Sequence, residues 1–177
     1  MMVLALLVGC GAGPEEIATA IKSENPVMRE DGAKIAQNFD DVVVVDALVS
    51  VLADPSEAVR LNAIESLAAL AATTATPALI QRLESDESPK VRRAAADALG
   101  RLLAKDAVPQ LITYVASFEV NDRAQLAGVW AVGFIGNEGG LEPAVKASAL
   151  ETLVRIRDTT ADIYVRYNVN AALRTLK

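Results

Sequence analysis

The chain has 177 residues, and 52% of them are hydrophobic, which is enough apolar surface for a folded domain and argues against disorder. Aromatic residues make up only 4%, so the core must be built from small aliphatic side chains on closely packed helices. There is no histidine, and Cys10 is the single cysteine, which excludes an internal disulfide, a His-based triad and a Cys/His zinc site. The sequence therefore predicts no metal and no cofactor.

The net charge of −6 is unevenly distributed along the chain. Residues 1–88 contain fourteen acidic and five basic side chains, whereas the remainder contains nine acidic and twelve basic ones. The first half thus carries −9 and the second half +3. Because the acidic half would repel a polyphosphate, we expect no nucleic-acid partner.

An apolar run opens the chain and ends in Leu7-Val8-Gly9-Cys10. This tetrapeptide resembles the lipobox of bacterial lipoproteins, which implies cleavage before Cys10 and acylation of its thiol. Residues 1–9 would then be a signal remnant, residues 10–177 the folded domain, and the protein a lipoprotein on the periplasmic or outer face of the bacterial envelope. The run lacks the basic residues of a secretory signal, so the alternative is a cytoplasmic protein in which it caps the domain. Ten residues are too few to span a bilayer as a helix, which limits any membrane contact to the lipid anchor.

Helical signals begin at Pro14-Glu15-Glu16, where proline suits the first turn and the acids favour the positive end of the helix dipole. This helix is predicted to run to Lys22, and a second helix to cover residues 27–39. The four valines that begin at Val42 permit a strand, but the apolar stripe continues well beyond strand length. We therefore predict a third helix over residues 42–53.

The later helices follow the same alternation of a short helix and a longer one. Asp54 is predicted to cap the fourth helix, with Pro55 in its first turn. The remaining helices are predicted at residues 77–83, 88–103, 107–118, 121–135, 141–157 and 161–176. Together they make about five antiparallel pairs.

Two of these pairs carry nearly the same sequence. Residues 54–67 read DPSEAVRLNAIESL, and residues 86–99 read DESPKVRRAAADAL, with weaker copies around Met28-Arg29 and Val165-Arg166. Arg60 and Arg92 are 32 residues apart. A repeating unit of this size cannot bury its apolar face alone, so the units must stack on one another and leave an extended surface.

The Asp, Val-Arg and Ala-Leu-Gly pattern resembles HEAT repeats, specifically the short form of phycobiliprotein lyases, over residues 14–177. The resemblance implies an all-α fold, a right-handed α-solenoid of about five antiparallel helix pairs that serves as a protein-binding scaffold. Some relatives instead attach bilin pigments or act on modified bases.

The repeated acids and arginines permit two interpretations. They could form an anion-binding row, or they could cap the second helix of each pair and bridge adjacent pairs. We predict the structural role for Asp54, Arg60, Asp86 and Arg92.

A second repeated position changes character along the chain. Arg93, Asp97 and Arg101 in the third pair correspond to three apolar or aromatic residues in the fourth, and one tyrosine takes the equivalent place in the fifth. This predicted protein-binding patch consists of Leu126, Trp130, Phe134 and Tyr167. The alternative is that the fifth pair packs over these residues and buries them.

No pair of carboxylates is placed by the sequence in an apolar pocket, where acid-base catalysis would need it. The sequence therefore predicts a non-catalytic scaffold that binds another protein. The competing prediction is a cytoplasmic HEAT-like accessory subunit or a bilin-lyase-like protein.

Overall fold

The fold is an all-α solenoid, seen in a computed structural model that describes residues 11–118, 125–138 and 140–176. The first six helices are α1 (Pro14–Ile21), α2 (Pro26–Ile35), α3 (Val42–Ser50), α4 (Glu57–Ala69), α5 (Thr76–Ser85) and α6 (Pro89–Arg101). They are followed by α7 (Val108–Ala116), α8 (Leu126–Asn137), α9 (Pro143–Thr159) and α10 (Ile163–Thr175). Short 3-10 turns lie at Ala36–Asn38, Thr73–Ala75 and Lys105–Ala107.

Consecutive helices form five pairs, which we number units 1 to 5. Within a unit the two helices pack against each other, and the second helix of each unit packs against the second helix of the next. The even-numbered helices therefore form one continuous layer, as the repeat pattern predicted. The expected α-solenoid of five pairs is confirmed.

The core between the two layers consists mainly of aliphatic side chains. Its largest fully buried members include Leu48, Leu67, Leu99 and Leu111. Alanines lie where helices approach most closely, since Ala131 faces Gly100 and Ala172 faces Gly133, and both alanines are buried. This explains how a chain with few aromatic residues fills its interior at native density.

Several helix ends differ from the sequence-based bounds. The α-helical part of α2 ends at Ile35, and α3 ends at Ser50 rather than at residue 53. The end of α4 is followed by Ala71 and the end of α6 by Leu103, with φ of 51° and 52°. These residues lie 32 positions apart, so both helices of the repeat end in a residue of left-handed conformation. The sequence does not indicate this ending, because the position is usually glycine and here is alanine or leucine.

Candidate functional site

Arginine–acid bridges join successive units on one side of the stack. Arg29 donates from Nε to Oδ2 of Asp54 at 2.6 Å and from Nη2 to Oδ1 at 3.2 Å. One unit later, Arg60 donates from Nη2 to Oδ1 of Asp86 at 3.0 Å, while its Nε lies 3.0 Å from Oδ2. Arg29 thus holds the aspartate of the following unit with two hydrogen bonds, whereas Arg60 holds it with one hydrogen bond and an Nε contact that is not aligned for a second. We call this series the arginine–acid ladder.

The same arginines also fasten the loop inside their own unit. Nη1 of Arg60 donates to the carbonyl of Asp54 at 2.8 Å, and Nη1 of Arg92 donates to the carbonyl of Asp86 at 2.7 Å. Arg29 bonds the carbonyl of Ser23 in the same way. In every case the carbonyl lies six residues before the arginine, so one side chain both closes a loop and bridges two units.

The bridge between Arg60 and Asp86 is buried, so the charge of each side chain depends on the other. The Arg60 and Asp86 side chains are 4% and 1% exposed. Burial alone would lower the pKa of Arg60, but the hydrogen bond and the negative charge of Asp86 outweigh it and hold that pKa above its ordinary value. Burial likewise disfavours ionised Asp54, yet hydrogen bonds from Arg29 and the Ser56 N–H hold the pKa of that carboxyl below its usual range.

The prediction that the aspartates cap the second helix was wrong in its detail. The N-cap residue of α4 is Ser56, and that of α6 is Ser88. Asp54 and Asp86 instead accept the backbone N–H of these serines at 2.8 and 2.9 Å, which leaves their carboxylates turned toward the arginine of the preceding unit. The bridging role is present for Asp54, Arg60 and Asp86. Within the described residues, the side chain of Arg92 makes only the loop contacts to the carbonyls of Asp86 and Glu87, so its bridging role stays a prediction.

An open groove of about 830 Å³ runs across the even-numbered helices of units 2 to 5. Leu61 and Glu65 of α4 line one end. The middle is charged, and among the described residues no hydrogen bond or ion pair engages the exposed side chains of Arg93, Asp97 and Arg101. These three residues follow the spacing of one helical face, so α6 contributes a charged wall to the groove.

The other end of the groove is aromatic. Trp130 and Phe134 of α8 stack with ring centroids 4.9 Å apart and an interplanar angle of 17°, yet each remains about 45% exposed. The Trp130 ring lies near Gly100 of α6, since a Cβ added at Gly100 would be in ordinary contact with its Cζ3 atom at 3.6 Å. The close approach that requires glycine at this position is the one to Ala131, whose Cα and Cβ would lie 2.8 Å from that Cβ.

A smaller recess of about 330 Å³ continues the groove beyond Trp130 and Phe134. Its lining includes small residues, Gly133, Ala171 and Ala172, and two amide side chains, Asn137 and Asn168. A lining that is mostly apolar with a few polar groups suits a single apolar side chain presented by a larger molecule.

The predicted patch is only partly assembled as expected. Leu126 and Trp130 line the groove and Phe134 lines the recess, and the alternative that the fifth unit covers these rings is wrong because they remain exposed. Tyr167, which is 70% exposed, lines a separate shallow recess beside the loop that begins α10.

The fifth unit places Tyr164 and Asn168 opposite Trp130 instead of Tyr167. Sequence reasoning missed both residues because it transferred only the position that follows the Val-Arg pair. Their places, one residue before and two residues after that pair, correspond to Lys90 and Ala94, which also line the groove. Following the whole face of α6 would have found them.

Cys10 lies outside the described residues, so its proposed acylation stays a prediction. None of the helices in the described part of the chain is both long enough and apolar enough to cross a bilayer. Within residues 11–118, 125–138 and 140–176, no cluster of acidic or cysteine side chains is arranged to hold a metal ion.

Comparison with known proteins places this architecture. The sequence matches the family description of HEAT repeats over residues 14–87 and 76–174. The fold is similar to a solved structure, the complex of CpcE and CpcF of phycocyanin lyase from Nostoc sp. PCC7120, with a TM-score of 0.74 and 27% identity. That similarity covers 93% of this chain and 65% of the other, so the chain spans less than two thirds of that protein's length.

A search of curated protein sequences found no match. The family match nevertheless covers most of the chain in two overlapping segments, and the resemblance to short, phycobiliprotein-lyase-like repeats agrees with the structural similarity. This chain belongs to the family of HEAT-repeat proteins.

Proposed function

We propose that this chain is a non-catalytic scaffold that binds another protein in the groove across its even-numbered helices. The observation that carries the proposal is the exposed Trp130–Phe134 stack beside an apolar recess. Large aromatic side chains in a concave, partly apolar surface are the residues at which binding energy concentrates in protein interfaces.

The charged wall of α6 complements this anchor. Arg93, Asp97 and Arg101 line the same groove as Trp130 and carry no ion pair within the described residues, so their charges are available to a partner. Charged groups around an aromatic anchor set the orientation and the rate of association more than the affinity. We therefore assign affinity to the aromatic end and orientation to the charged middle.

The test replaces Trp130 with Asp and follows partner binding. Affinity capture from the native host with the wild-type chain identifies a partner, whose Kd is then measured by calorimetry for both proteins. We expect about a thirtyfold loss or more, as for a central aromatic in an interface. Arg155→Gln changes an exposed residue of α9 that lines neither the groove nor the recess, and it serves as the control.

A second candidate is a lyase-like subunit, which the similarity to the CpcE–CpcF structure favours. The groove has a volume of about 830 Å³ and is lined by Trp130 and by two arginines, Arg93 and Arg101, which would meet the carboxylates of a pigment. Addition of a bilin to the purified chain separates the two functions. A lyase-like subunit would shift the visible absorption of the bilin in the wild type and not in the Trp130→Asp variant, whereas the scaffold proposal expects no shift in either.

We also propose that Cys10 carries a lipid that holds the scaffold at the bacterial envelope. The support is its place after Leu7-Val8-Gly9, where lipoproteins carry their modified cysteine. Labelled palmitate is expected in the wild type and not in a Cys10→Ala variant. Absence of label from both proteins would instead favour the cytoplasmic alternative.

A further inference from the structure

The stack has a direction, because each even-numbered helix presents a fixed face to the following unit. A Cβ added at Gly100 of α6 would lie 2.8 Å from Ala131 of α8, and one at Gly133 of α8 would lie 2.8 Å from Ala172 of α10. Earlier in the chain, Ser66 of α4 donates to the carbonyl of Ala33 in α2 at 2.6 Å. One longitudinal stripe on each helix therefore faces the next unit.

This forward stripe has a repeating composition. It begins with the ladder position and continues at four-residue steps, as the helical repeat requires. In α6 it consists of Arg92, Ala96 and Gly100, and in α4 of Arg60, Ile64 and Ala68. The residues that follow the arginine in each stripe are buried and small or aliphatic, which lets the next helix approach closely.

In the two bridges of the ladder, the aspartate of one unit pairs with the arginine of the unit before it. Asp54 follows Arg29 and Asp86 follows Arg60, with the bridges described above. The fourth unit has Gln125 at the ladder position, and the acid position of the fifth unit is then Thr160. An acid at this position therefore goes with an arginine in the preceding unit, and an uncharged residue goes with an uncharged one.

Unit 5 restores the arginine at the ladder position. Arg166 donates to the carbonyl of Thr160, six residues earlier, which is the loop contact that the other ladder arginines make. Its forward stripe consists of Arg166, Asn170 and Arg174, which we call the outer stripe. Arg166 and Arg174 are exposed, and within the described residues neither side chain forms an ion pair. One carboxylate that the charge of Arg166 does influence is Asp158 of α9, whose pKa is lowered mainly by its hydrogen bond from Arg157 and further by that charge.

We propose that the outer stripe docks a helix-pair repeat of another protein, one that carries a carboxylate in the register of Asp54 and Asp86. Charge complementarity is the argument, because the two bridges within this chain show what that arginine position pairs with. Asn170 and Arg174 replace the small or aliphatic residues of the inner stripes, so the joint is polar and held mainly by charge. It is therefore weaker and more salt-sensitive than the internal joints.

The test uses the full-length chain and a designed helix-pair repeat protein as the probe. One version of the probe carries aspartate on its exposed first unit in the register of Asp86, and a matched version carries asparagine. We expect the aspartate probe to bind about tenfold more tightly at low ionic strength, an advantage that shrinks with added salt. Fluorescence anisotropy measures both Kd values.

Two variants locate the effect. Arg166→Gln should abolish the preference for the aspartate probe, whereas Arg155→Gln, with the same charge change at an exposed position of α9 that forms no ion pair within the described residues, should keep it. Because Arg166→Gln also removes a loop contact, Arg174→Gln provides a second variant that leaves that contact intact and should weaken aspartate-probe binding severalfold. Equal binding of both probes, no binding of either, or an unchanged preference in Arg166→Gln overturns the proposal.

Discussion

The first three units and the last two are joined by different means. Buried arginine–aspartate pairs bridge unit 1 to unit 2 and unit 2 to unit 3. Units 4 and 5 instead meet where Gly133 approaches Ala172, and Thr175 donates to the carbonyl of Gly133 at 2.7 Å. The arginine–aspartate joints fix how one unit is aligned on the next, because an ion pair needs both side chains in place. The joint between units 4 and 5 brings the helix backbones close together, and the adjacent face of α8, with Trp130 and Phe134, stays exposed.

This difference separates stability from recognition along one repeating fold. The central bridge of the ladder is buried, and its side chains form their hydrogen bonds with other groups of this chain. The groove keeps charged and aromatic side chains exposed. Changes to the ladder should therefore alter the free energy of unfolding, and changes to the groove should alter binding.

The largest expected effect comes from Arg60→Leu. It leaves the Asp86 carboxylate, which is 1% exposed, without its main partner, and loss of one member of a buried pair costs about 3–5 kcal/mol. Urea denaturation followed by circular dichroism measures the loss. The double variant Arg60→Leu/Asp86→Leu should recover part of it, since the Asp86 carboxylate is removed together with Arg60 and only the weaker contact from Arg82 is lost in addition. A double variant as unstable as the single one would contradict the ladder's role.

A smaller loss is expected from Gly100→Ala at a close joint. Alanine favours an isolated helix over glycine by about 1 kcal/mol, but here its Cβ would lie 2.8 Å from Ala131. Overpacking of this kind costs about 1–3 kcal/mol, so the net change should be destabilising. Gly136→Ala should destabilise as well, because its Cβ would lie 2.5 Å from Cδ2 of Leu176, a side chain that is only 1% exposed. A stabilised Gly100→Ala protein would show that α6 and α8 are not tightly apposed.

Helix capping should contribute still less. Asp41 accepts the N–H of Val43 at 2.9 Å at the start of α3, whereas the Ser56 side chain makes no cap bond at the start of α4. Asp41→Ala should cost about 1 kcal/mol, and Ser56→Ala less, in thermal unfolding. Equal losses of stability in the two variants would contradict the conclusion that Asp41 caps α3 while the Ser56 side chain does not cap α4.

The smallest expected effect is a change in the pH dependence of stability. The pKa of Asp54 lies below its unfolded value of 3.8, so its contribution is complete above that value and is lost as the pH falls through the folded pKa. Unfolding measured from pH 6 down to pH 2 should therefore show a smaller acid-induced loss for Asp54→Asn than for the wild type. Parallel curves for the two proteins would contradict the assignment.

The number of helix pairs and their stacking were predictable because the Val-Arg unit repeats with a nearly constant spacing. The role of Asp54 was less accessible, since Asp-Pro before a helix also fits an N-cap, and only the bridge from Arg29 shows that its carboxylate is engaged elsewhere. Exposure of Trp130 could not be decided from the sequence, because the equivalent positions Val132 and Leu173 of units 4 and 5 are 41 residues apart instead of about 32, which left the position of α10 open. Its binding role stays a prediction.

One measurement tests the account most directly: partner affinity and unfolding free energy determined side by side for the wild type, Trp130→Asp and Arg60→Leu. We predict that Trp130→Asp loses partner binding at nearly unchanged stability, and that Arg60→Leu loses stability while its folded fraction still binds. Undiminished binding by Trp130→Asp would contradict the assignment of recognition to the groove.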